Sequence, residues 1–81
     1  MNKPLVDAVA LAIRRFRKEH GMSQEALADK AGLDRTYISG VERGVRNITL
    51  DSLVQIIRAL EVNYKTFFDV VSREVNDIPN Q

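Results

Sequence analysis

A chain of 81 residues makes one domain. At this length only about 60–65% of the unfolded surface is buried, so the core is thin and a partner subunit would help it. There is no cysteine, which excludes a disulfide framework and a cysteine-ligated metal site. The net charge of +1 is unevenly spread: residues 1–46 hold nine Lys/Arg against six Asp/Glu, and residues 47–81 hold three against five. A basic half and an acidic half suit a protein that turns one face to a polyanion, although ordinary solvated charges would give the same balance.

Apolar spacing predicts five helices in chain order. Val6, Val9, Ile13 and Phe16 share one helical face, and Gly21 ends that helix. Ser23 is placed to cap a second helix, Gln24 to Ala31, with Ala26, Leu27 and Ala31 inward. Gly32 ends it. Asp34 can cap a third helix from Arg35 to Arg43, which Gly44 stops. Thr49 caps a fourth, where Leu50, Leu53, Val54, Ile57 and Leu60 keep helical spacing, and Asn63 caps a fifth from Tyr64 to about Val75. The tail from Asn76 to Gln81, with Pro79, is expected to be loose. No segment alternates like a strand. The expected fold is all-α, a compact five-helix domain over residues 1–81, ordered from about 5 to 75.

The stretch QEALADKAGLDRTYISGVER, Gln24 to Arg43, has the pattern of a helix-turn-helix. Ala28 is small where two helices press closest. Gly32 falls where the turn needs a positive φ, which glycine adopts without strain. Leu27, Ala31, Leu33, Ile38 and Val41 supply inward positions that set the second helix steeply against the first. An unrelated helical hairpin explains the glycine alone but not this whole set.

These residues resemble the lambda-repressor and Cro-type regulators, also called XRE-like, over roughly residues 9–70. Within that family, LDRTYISGVERGVRN is most similar to the controller proteins of restriction–modification systems, which are dimeric and regulate their own operons. The resemblance implies a cytoplasmic, sequence-specific DNA-binding regulator that binds a two-half-site operator as a homodimer, with RNA polymerase a further candidate partner. It makes the helix beginning at Arg35 the recognition helix, entering the major groove. Arg35 is the candidate for bidentate readout of guanine. Thr36, Tyr37 and Ser39 are its companions, Tyr37 and Ser39 being expected on one side. Gln24, Arg43, Arg46 and Asn47 are candidates for the DNA backbone or a minor groove. Arg17 and Glu42 match a structural pair that bridges the first and third helices in relatives. Gly40 departs from the longer polar residue common at its position and costs the helix roughly 1 kcal/mol relative to alanine. The alternatives are a phage-type repressor, or an antitoxin or anti-repressor module on the same fold.

Other chemistries lack their parts. His20 is the only histidine and suits the negative end of a helix dipole. With no cysteine and a single histidine, a catalytic dyad or a zinc site lacks its parts. Gly40 and Gly44 make neither a GxGxxG nor a P-loop. No enzyme, cofactor or metal is expected. Nor is any membrane span, because no stretch approaches ~18 apolar residues, and the start of the chain, with Lys3, Pro4 and Asp7, does not resemble a signal peptide. On the fifth helix Tyr64, Phe67, Phe68, Val70, Val71 and Val75 cover an arc wider than one core needs. The surplus predicts a dimer interface of Tyr64, Phe67, Val70 and Val71, with Phe68 and Val71 placed toward the core.

Overall fold

A computed structural model describes residues 3–75, which form five helices: α1 (Lys3–Glu19), α2 (Gln24–Ala31), α3 (Arg35–Glu42), α4 (Leu50–Leu60) and α5 (Tyr64–Glu74). No strand occurs among the described residues. The tail from Asn76, expected to be loose, lies outside them.

Side-chain caps set three of the helix starts. Ser23 Oγ accepts from the Ala26 N–H at 3.0 Å, Thr49 Oγ1 from the Ser52 N–H at 3.0 Å, and Asn63 Oδ1 from the Thr66 N–H at 2.7 Å. Each satisfies a backbone donor that the first turn leaves without a partner. Asp34 departs from expectation. It occupies the N-cap position of α3 with extended backbone, yet its exposed carboxylate makes no cap bond.

The turn between α2 and α3 positions the site. Gly32 has φ of 70°, its N–H donates to the Asp29 carbonyl at 3.3 Å, and the Leu33 N–H donates to the Ala28 carbonyl at 2.9 Å. This pair of bonds reverses the chain sharply at the end of a helix and requires a left-handed residue. Ala28 is buried against the neighbouring helix, and Leu33 packs half-buried on the core.

The core is assembled around α1, which packs against α3, α4 and α5, while α2 packs against α3 and α4. Ile13, Leu27, Ile38, Ile56, Ile57, Leu60 and Phe67 are fully buried. Phe67 meets Phe16 of α1 at 6.0 Å between ring centroids. Ala26 and Phe68, expected inward, are exposed, and so are Leu50 and Val54 of the apolar series on α4. Leu50 stands at the first turn of α4, beyond the reach of the core, and Ile56 takes an inward place instead.

The expected division of α5 is corrected by the same packing. Phe67, Val70 and Val71 are buried in the chain's own core, whereas Phe68 is 44% and Tyr64 51% exposed. Successive helical residues point about 100° apart, so only one of two adjacent phenylalanines can point into the core. Phe67 does, and Phe68 stands edge-on to it at 5.3 Å. Of the residues expected at an interface, Tyr64 alone has a side chain to offer a second molecule.

Candidate nucleic-acid interface

Helix α3 is held in place by a buried ion pair. Arg17 Nε donates to Glu42 Oε2 at 2.7 Å and Nη2 to Oε1 at 2.9 Å, and both side chains are nearly inaccessible. The third guanidinium nitrogen donates to the Met22 carbonyl at 2.8 Å. The bond to Glu42 holds the Arg17 pKa above its ordinary value, against the opposing effect of burial. A bidentate pair fixes orientation as well as distance, so the start of the α1–α2 turn and the end of α3 are locked together.

Gln24 joins this cluster, donating from Nε2 to Glu42 Oε1 at 3.1 Å. Its amide nitrogen is therefore turned inward, and the residue is half-buried at the start of α2. Two residues that were not singled out in the sequence complete the clamp. Arg14 Nη1 donates to the Glu42 carbonyl at 3.2 Å, and Lys3 Nζ to the Gly44 carbonyl at 3.1 Å while pairing with Asp7. Both satisfy carbonyls at the end of α3, where cations are favoured. Their partners are 28 and 41 residues away, and no local pattern announces them.

The outward side of α3 carries Arg35 and Thr36, both exposed, with Ser39 one turn beyond Arg35 and half-buried. Ile38, Gly40, Val41 and Glu42 are buried behind them. Arg43 closes the helix, and Arg46 and Asn47 follow in an exposed loop. Arg35, Arg43 and Arg46 form no ion pair among the described residues, so three exposed cations edge the recognition side.

Tyr37 does not share that side with Ser39. Two positions apart on a helix means roughly 160° of separation, not a common face. The Tyr37 ring is half-buried against the core, its hydroxyl is buried with no hydrogen-bond partner, and the Arg46 guanidinium lies over it at 5.1 Å from the ring centroid. In this conformation its hydroxyl is not presented to solvent.

Among the described residues there is no cluster of His, Asp and Glu that could hold a metal ion, and no helix is long and apolar enough to cross a membrane. An apolar groove is lined by Leu5, Val9, Leu50, Phe68 and Val71 among others, and by Asn47 from the loop after α3.

Known proteins agree with this geometry. Residues 13–67 match the helix-turn-helix family. The control protein C.BamHI of Bacillus amyloliquefaciens is 47% identical over 58 residues, covering 70% of this chain and 72% of that protein. C.SmaI of Serratia marcescens is 42% identical over 57 residues, 70% of this chain and 68% of its own. Among solved structures, the restriction–modification controller protein C.Esp1396I superposes with a TM-score of 0.86 at 46% identity, covering 90% of this chain and 96% of that one. The same protein, as a tetramer in complex with its natural 35 base-pair operator, superposes at 0.85. With its five helices, its Gly32 turn and its clamped third helix, the chain belongs to the helix-turn-helix family of which the restriction–modification controller proteins are members.

Proposed function

We propose that this protein is a sequence-specific transcriptional regulator that binds a two-half-site operator as a homodimer, in the manner of a restriction–modification controller protein acting on its own operon. The observation that carries this reading is the outward side of α3. Arg35 and Thr36 stand exposed with Ser39 half-buried beside them, Arg43 and Arg46 edge them without ion pairs, and the buried Arg17–Glu42 pair holds the helix in place. An α-helix fits the major groove, and an arginine at its start reaches guanine N7 and O6. The work is binding, not catalysis. RNA polymerase is a partner to be sought once the promoter geometry is known.

Replacing Arg35 with alanine should leave the fold intact and cost about 1–3 kcal/mol of operator affinity, with relaxed preference at one base pair per half-site. Selection from a random duplex library with each protein checks this, and an unchanged sequence preference would sink the assignment. Arg46→Ala should instead weaken binding to all sequences together and reduce the salt slope by about one per subunit. Loss of preference at a single base position would make Arg46 a reader of sequence. Absence of any duplex binding at low salt would favour a protein-binding module on this fold.

We place the second subunit at the groove bounded by α1, α4 and α5. Leu50 is 80% exposed and faces the same groove as Phe68, with Val54 and Tyr64 exposed one turn along each helix. Exposed apolar side chains gathered on a small protein mark an interaction site. A two-fold contact here would set two recognition helices about 34 Å apart, one turn of DNA.

A further inference from the structure

We propose that Gly40 is a positioning residue for operator binding: its missing Cβ opens a seat in which the Arg46 side chain crosses α3, with its guanidinium over the Tyr37 ring. The proposal rests on the reading of Arg46 as a DNA-contacting residue. Gly40 is buried in the middle of the recognition helix, a place where glycine weakens a helix relative to alanine. A Cβ built there would lie 2.6 Å from Arg46 Cγ, 3.6 Å from Cδ and 3.7 Å from Cβ. Carbon atoms rest about 3.5–4.0 Å apart, so the first of these contacts cannot be kept. The obstructed atom is near the root of the side chain. The whole Arg46 stem, and not only its tip, would have to leave.

The seat also explains where the head group goes. Residues 37 and 40 are one turn apart on the same flank of α3. A stem lying over Gly40 delivers the guanidinium to the Tyr37 ring, 5.1 Å from its centroid and within the ~6 Å range of a cation–π contact. The ring is itself fixed, half-buried with its hydroxyl enclosed. An arginine on an exposed loop otherwise samples many rotamers, and ordering it on DNA weakens binding. Gly40 and Tyr37 together order Arg46 before the encounter.

The test compares wild type, Gly40→Ala, Arg46→Ala and the double variant on an operator selected from random duplex, with thermal melts of all four. Gly40→Ala should melt at or above the wild-type temperature and bind roughly ten-fold more weakly, counting both subunits. In the Arg46→Ala background the same change should cost less than about two-fold, because the seat has no occupant. In the free protein, the Arg46 side-chain protons should be shifted upfield in the NMR spectrum by the Tyr37 ring, and that shift should vanish in Gly40→Ala. This readout needs no DNA, so it separates failure of the seat from failure of the DNA reading. A shift that persists in Gly40→Ala overturns the proposal. Equal affinity losses in both backgrounds also overturn it, since Gly40 would then be making room for DNA and not for Arg46.

Discussion

Arg17→Ala is expected to cost about 3–5 kcal/mol of folding stability, because it leaves the Glu42 carboxylate buried without its partner. Marginal stability of roughly 0.05–0.15 kcal/mol per residue gives a domain this size little to spare. At about 4–8 °C per kcal/mol for so short a chain, the melting temperature should fall by tens of degrees. The companion variant Arg17→Met/Glu42→Leu removes both charges at once, and apolar replacement of a buried pair is often neutral or stabilising. It should therefore recover most of the lost melting temperature. Operator affinity should not recover with it, because the bidentate pair and the Gln24 bond are what orient the end of α3. Thermal melts and operator titrations on the two variants decide the matter. A double variant that regains full affinity would show that the pair supports folding alone.

Phe68→Glu should yield a folded monomer whose operator affinity falls by about 10²–10⁴-fold, the advantage that linking two half-site contacts confers. The side chain is 44% exposed, so a carboxylate there is solvated in the monomer and buried only in the dimer. Its neighbour provides the contrast. Phe67→Ala should cost about 3–5 kcal/mol of stability, since Phe67 is fully buried against Phe16. Sedimentation at tens of micromolar, with melts of each variant, distinguishes the two roles. A Phe68→Glu protein that still sediments as a dimer would place the interface away from this groove.

Adjacent phenylalanines with opposite expected phenotypes show where sequence reading reaches its limit. Local chemistry is written into the chain wherever one residue type does one job at short range. Ser23, Thr49 and Asn63 each satisfy an N–H three residues on, and Gly32 takes the left-handed turn, so the starts of three of the five helices and the turn of the central motif follow from neighbours in sequence. The Arg17–Glu42 pair was legible only through resemblance, because nothing local ties residues 25 apart. Asp34 shows the weaker case: the N-cap position was correct, but the carboxylate bond did not form.

Only the tertiary structure decided which side of each helix meets another. Periodicity says which residues share a face, but it does not say what that face touches or where along the helix the contact ends. Hence Leu50, with the right spacing, stands exposed at the tip of α4, and the wide apolar arc of α5 divided at Phe67 and not at Phe68. The Tyr37 ring lies under Arg46 instead of beside Ser39 because a loop returns over α3. That return is possible because of an atom Gly40 lacks, and a missing atom has consequences only once the chain has brought its neighbour within 2.6 Å.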